Sequence, residues 1–212
     1  MHSLIEPILV LTLLLNFFVL GSSRLRAVIH ASAAQGVLLG VLALANGPVT
    51  ARTLLFAIVT VFLKGALIPT MLLRAMREAA IRREVEPYIG FTSSVLLGAL
   101  ATGLAEVFAA SLPLASAHRG SLLVPSSIAT VLVGFLVLVT RKKAITQVVG
   151  YLILENGIFI MGQTLVEAVP LMVEAGVLLD LFVGIFVLGI IINHINREFA
   201  SLDTARLSTL RD

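Results

Sequence analysis

Seven apolar stretches punctuated by short polar segments organise the chain, at residues 4–20, 27–45, 53–75, 88–109, 121–140, 144–164 and 171–193. A hydrocarbon layer of about 30 Å takes about 20 helical residues to cross, so each stretch is long enough to span a membrane. The pattern predicts an all-α integral membrane protein of about seven transmembrane helices. The fifth stretch and the loop before it are the most interrupted, by Pro113, Gly120 and Pro125. No basic segment precedes the first stretch, only His2 and Glu6, which predicts a retained helix from Leu4 to Leu20 and not a cleaved signal peptide.

Charge turns this pattern into a topology. With seven spans, twelve Lys and Arg residues fall on one face: Arg24 and Arg26, the group from Arg74 to Arg83, Arg141 to Lys143, and Arg197, Arg206 and Arg211. Only Arg52 and Arg119 fall on the other. Basic residues concentrate on the cytoplasmic side, so the expected orientation is N-terminus outside and C-terminus cytoplasmic.

Composition agrees with lipid as the solvent, since 58% of the 212 residues are hydrophobic and 13% charged. There is no cysteine, which excludes sulfur-ligated clusters, Cys-type zinc and disulfides. The basic residues flank apolar stretches and form no aromatic-laced patch, so no nucleic-acid partner is expected.

A faint internal echo runs through the chain. Residues 24–68 and 141–184 both read as a basic cluster, a helix, a short loop and a helix with one central charge, Lys64 in one and Asp180 in the other. Four spans separate corresponding helices, which predicts two parallel three-helix repeats, helices 1–3 and 5–7, joined by helix 4. The expected organisation is 1–86 as the first repeat, 87–140 as connecting helix 4 with helix 5, 141–193 as an acidic helix pair, and 194–212 as a cytoplasmic tail.

Against this apolar background the ionisable residues stand out. Lys64, Glu155 and Asp180 lie near the centres of the third, sixth and seventh stretches, and so at one depth. A charge at mid-membrane costs at least about 2.5–3.5 kcal/mol even on lenient scales, so all three are expected to point into the bundle or at a partner. Two readings follow: proton handling by the two carboxylates with Lys64, or a salt bridge that fixes helix packing. Beside Lys64, Gly65 weakens the helix and Pro69 removes a hydrogen-bond donor, which predicts a kink there.

Gln35 and Asn156 could hydrogen-bond across helices or extend a proton relay, with packing glue the simpler role for either alone. Glu174 is a lesser candidate for a proton exit. Glu106 and Glu167 read as interfacial. His30 and His194 fall near helix ends, where two histidines could ligate a haem, but no surrounding pattern supports that and no cofactor is expected. No phosphate loop, nucleophile–base set or metal-spaced cluster is visible, so no catalytic centre is expected in this chain.

The segment Gly150-Tyr151-Leu152-Ile153-Leu154-Glu155-Asn156-Gly157, followed by Pro170, Glu174, Gly176 and Asp180, resembles component E of the hydrogenase-4 and formate hydrogenlyase group of membrane-bound nickel–iron hydrogenases. Gln35, the stretch from Lys64 to Pro69, and the tail with Leu202, Asp203, Leu207 and Leu210 fit the same family. More distantly, the C-terminal three helices resemble the K-type subunit of respiratory complex I and the C subunit of multisubunit sodium/proton antiporters. Those carry a glutamate in each of two successive helices; Glu155 matches the first, and Asp180, one methylene shorter, the second.

The resemblance implies a membrane-arm subunit placed between a membrane-anchoring subunit and antiporter-like subunits, holding no nickel, iron or flavin itself. Its buried acids would then serve a proton or sodium path driven by redox chemistry in partner subunits. The alternatives are a passive spacer of the membrane arm and an independent small-molecule or cation transporter.

Overall fold

The computed structural model describes residues 4–46, 49–78, 87–113 and 120–164, with Gly189 alone beyond them. The seventh apolar stretch and the tail, and with them Glu174, Asp180 and His194, lie outside the described residues.

The described chain is helical throughout, without a strand: α1 (Ile5–Gly21), α2 (Leu25–Ala45), α3 (Ala51–Phe62), a π-helical turn (Leu63–Leu67), α4 (Ile68–Glu78), α5 (Phe91–Ser111), α6 (Leu123–Thr140) and α7 (Ala144–Gly162). The continuous unit Ala51–Arg77, α2, α5, α6 and α7 are each long and apolar enough to cross a membrane, and α1 is a shorter apolar helix of 17 residues. The molecule is an all-α integral membrane protein.

The helix ends follow from local chemistry. α1 stops at the Gly21-Ser22-Ser23 turn, where the Ser22 hydroxyl accepts from the Arg24 N–H. α3 begins with reciprocal bonds between Thr50 and Thr53, each side chain accepting from the other's backbone N–H, which satisfies two donors that a helix start leaves open. Gly120 takes a left-handed φ of 79° ahead of α6, a conformation that costs glycine little. Pro125 sits in the first turn of α6, where its missing N–H has no intrahelical partner to lose. The prolines and glycine around the fifth stretch therefore mark its entry and leave its interior regular.

α6 and α7 form the tightest pair in the fold. A Cβ on Gly150 would lie 2.6 Å from the Leu138 nitrogen, and one on Gly157 2.6 Å from the Val131 nitrogen. Backbone therefore packs on backbone, as small residues permit between membrane helices. α1 and α2 pack against this pair, α5 lies across α1 and α6, and the α3–α4 unit leans on α2.

The buried apolar side chains fall into two clusters. One gathers Leu20, Ile29, Leu72, Val137 and Ile153, where α1 ends and α2 and α7 begin. The other gathers Ile5, Leu9, Leu42, Leu123 and Ile160 at the opposite end. Between them, near mid-helix, lies a layer of buried polar residues: Thr12, Asn16, Gln35, Lys64, Thr130, Glu155 and Asn156.

Arg141 anchors the first of these ends. It is 2% exposed, its Nη2 donates to the Leu20 carbonyl at 2.8 Å, and its guanidinium lies 5.1 Å from the centre of the Phe91 ring. A cation at the closing turn of α1 meets both an open carbonyl and the negative end of the helix dipole.

Candidate functional site

The polar layer is built around the interruption in the α3–α4 unit. Within Leu63–Leu67 the hydrogen bonds widen by one residue, and the Ile68 N–H reaches back to the Leu63 carbonyl. In that register the donor for the Lys64 carbonyl would come from residue 69, which is Pro69 and has none. The irregularity expected as a kink takes the form of a π turn, Leu63–Leu67, within a continuous helix. On the facing helix, Gly36 has no side chain to hold α2 away. A Cβ there would stand 2.5 Å from Lys64 Cβ and 3.1 Å from the Lys64 carbonyl oxygen.

This close approach carries Lys64 into the bundle. Its Nζ lies 2.7 Å from Glu155 Oε1, with the two side chains 7% and 1% exposed. The approach to Oε1 lies outside hydrogen-bonding angles, and among the described residues neither oxygen of Glu155 receives a hydrogen bond. Lys64 instead directs a hydrogen bond to Asn156 Oδ1 at 3.2 Å. Its ammonium also faces the Phe159 ring, 5.5 Å from the centroid, and Phe159 stacks on Phe56 at 5.9 Å. The aromatic pair covers the apolar side of the ammonium, and a ring face attracts a cation.

From Asn156 a chain of amides runs across the bundle. Asn156 Nδ2 donates to Gln35 Oε1 at 3.3 Å, and Gln35 Nε2 donates to Asn16 Oδ1 at 2.8 Å and to the Thr12 carbonyl at 3.2 Å. Asn16 Nδ2 in turn donates to the Thr130 hydroxyl at 2.9 Å. The layer thus joins α7, the π turn, α2, α1 and α6, and each amide in it is at most 2% exposed.

Of the candidates read from sequence, the structure brings together Lys64, Glu155, Asn156 and Gln35. His30 is exposed on the flank of α2, away from the pair. Glu106 is exposed on α5. Asn16 and Thr130 were not singled out beforehand, although a lone asparagine within an apolar stretch is the same kind of signal as Gln35. Thr130 carries little signal of its own, because a helical threonine usually bonds its own backbone, as Thr12 does to the Ile8 carbonyl at 2.9 Å.

No group of three or more His, Cys, Asp or Glu side chains arranged for a metal occurs among the described residues. What the arrangement offers is an acid and a base in contact, away from water, at an irregular point of one helix.

Fold and site together define a polytopic helical membrane protein with a buried lysine–glutamate pair. No family model and no solved structure matches the chain. It belongs to the family of the uncharacterized protein Rv0085 of Mycobacterium tuberculosis, with which it shares 35% identity over 193 residues, covering 89% of this chain and 87% of that protein. It is also similar to hydrogenase-4 component E of Escherichia coli K12, at 27% identity over 150 residues, 70% of this chain and 68% of the relative. The same values hold for hydrogenase-4 component E of Shigella flexneri. This similarity marks a distant homology.

Proposed function

We propose that the chain is a membrane-arm subunit of a multisubunit respiratory-type hydrogenase complex, and that Glu155 and Lys64, with Asp180 of the seventh stretch, belong to a proton or sodium path through it. One observation carries this reading: the ion pair lies near mid-helix on a π turn, with one carboxylate oxygen unpartnered among the described residues, in a homologue of hydrogenase-4 component E. A proton moving from Lys64 to Glu155 turns ammonium and carboxylate into amine and carboxylic acid, and so removes two charges from low dielectric at once. The energy of the two states then depends on small displacements of Lys64, the kind of motion a π turn permits.

In this reading redox chemistry in partner subunits drives the displacement, and this chain holds no catalytic centre or cofactor. The partners are a membrane-anchoring subunit and antiporter-like subunits, in a prokaryotic cytoplasmic membrane with the N-terminus outside. The kinship of residues 141–193 with the complex I K-type subunit is part of the same proposal.

The tight α6–α7 packing and the ion pair itself favour a second reading, in which the chain is a passive spacer and the pair only locks helices. The test begins with capture of the tagged chain from native membranes under mild detergent, with the co-purifying proteins identified. Hydrogenase-type and antiporter-like partners are expected; a homo-oligomer without them would refute the assignment. In the intact complex, Glu155→Gln and Asp180→Asn should abolish ion movement and leave assembly in place. Impaired assembly with normal ion movement would establish the spacer instead.

A further inference from the structure

The amide chain has a direction on which both ends agree: a backbone carbonyl that only accepts at one end and the Lys64 ammonium, which only donates, at the other. Gln35 faces the Thr12 carbonyl at 3.2 Å, and a carbonyl only accepts. Gln35 must therefore turn its NH₂ towards α1, which leaves its Oε1 facing Asn156. Asn156 must answer an oxygen with its own Nδ2, 3.3 Å away, and this turns its Oδ1 towards Lys64 Nζ at 3.2 Å. On the other side, Asn16 must offer Oδ1 to Gln35 Nε2, and its Nδ2 then reaches the Thr130 hydroxyl. Reversing any one amide would place donor against donor or acceptor against acceptor in a layer closed to water, at a cost of about 1–3 kcal/mol for each group left unpaired.

We infer that Gln35 and Asn156 are positioning residues through which the Thr12 backbone carbonyl of α1 fixes the place of Lys64 and the direction in which it can give up a proton. The inference rests on the proton-path reading for its purpose but not for its geometry. Lys64 always meets an acceptor on its α2 side, so the ammonium is held between Asn156 and Glu155. Neutral amides do not take up a proton near neutral pH. Among the described residues, Lys64 meets two polar groups, Asn156 and Glu155, of which Glu155 can receive one, and the amide chain towards α1 and α6 does not carry it. The first helix, which carries no charge at this depth, thereby governs the charged pair on two other helices.

The test reads the geometry directly. Lys64, Lys142 and Lys143 are the only lysines in the chain. The full chain, labelled with ¹⁵Nζ-lysine and ¹³C-asparagine in lipid bilayers, should show magnetisation transfer by solid-state NMR from one lysine Nζ to one asparagine Cγ, assigned by its loss in Lys64→Arg. Gln35→Met should weaken that transfer at least fivefold, because Asn156 loses its orienting acceptor. Asn16→Leu should preserve it, because the Thr12 carbonyl still directs Gln35.

General damage to the bundle would weaken both variants alike, and that result would overturn the inference, as would survival of the transfer in Gln35→Met. Should Gln35→Met not fold, the wild-type chain labelled with ¹⁵Nε-glutamine and ¹³C-carbonyl threonine decides: transfer from Gln35 to Thr12 is required, and its absence refutes the scheme. These signals do not depend on partner subunits, so failure of the hydrogenase assignment and failure of this inference are separable.

Discussion

Glu155 and Lys64 meet in one ion pair but come from helices built on opposite plans. α7 is seated against α6 backbone to backbone, and 67% of its most apolar window is buried. The Ala51–Arg77 unit is 28% buried by the same measure, presents Leu55, Ile58 and Phe62 outward, and is interrupted at the lysine. The acid is thus held by a closely packed pair of helices and the base by a lightly packed one with a π turn. On the proposed proton-path reading, a pair whose separation changes calls for one fixed member and one that can shift, and this contrast between the two helices is what that reading would use.

The sharpest way to break this contrast is to remove one charge. Lys64→Met leaves Glu155 buried without its counter-ion, which by analogy with other buried pairs costs about 3–5 kcal/mol. Combining it with Glu155→Gln should recover most of that loss, since the second change removes the stranded charge. Unfolding of the purified chain in mixed micelles, followed by circular dichroism, would measure both. A double variant as unstable as Lys64→Met alone would show that the lysine stabilises through its stem and the Phe159 contact, and the pair would lose its central place.

Next in size is the stiff partner. Gly150→Ala puts a methyl group 2.6 Å from the Leu138 nitrogen and 3.0 Å from the Gly134 carbonyl oxygen. Both are backbone atoms on a well-packed helix, so α6 and α7 must separate, and a loss of about 1–3 kcal/mol is expected by the same unfolding assay. An unchanged stability would mean that this pair is softer than its packing indicates.

The spans were legible in the sequence because lipid leaves little freedom: twenty apolar residues between polar turns can hardly be anything but a crossing helix. The burial of Lys64 and Glu155 was legible for the same reason, since a bare charge has no place against acyl chains. Pro69 announced an irregularity but not its form, because a missing donor is compatible with a kink or a π turn, and the approach of Gly36 from another helix accompanies the π turn. That Lys64 meets Glu155, 91 positions away, was not legible, because helices that are apolar on every side carry no face that reveals their neighbours. Asn16 follows the same rule with a weaker signal, because an uncharged amide costs less in lipid than a charge does.

The smallest effect on stability falls on the movable partner. Gly36→Ala places its methyl group 2.5 Å from Lys64 Cβ and 3.0 Å from the Lys64 carbonyl carbon, a crowding comparable to that at Gly150. The surroundings differ: the atoms met belong to a π turn on a lightly packed helix, and that helix must withdraw until Lys64 Cβ, now 2.5 Å away, comes to ordinary contact. The expected loss of stability is therefore about 1 kcal/mol, at the low end of overpacking costs. The withdrawal draws Lys64 away from Glu155, so the ion pair should lengthen even though the fold survives. The Lys64 Nζ to Glu155 carboxylate transfer in labelled chains should fall severalfold in Gly36→Ala and stay at the wild-type level in Gly150→Ala. If the two alanine variants cost the same and leave the pair equally intact, the Lys64 helix is as rigid as the α6–α7 pair, and the division into a fixed acid and a movable base does not hold.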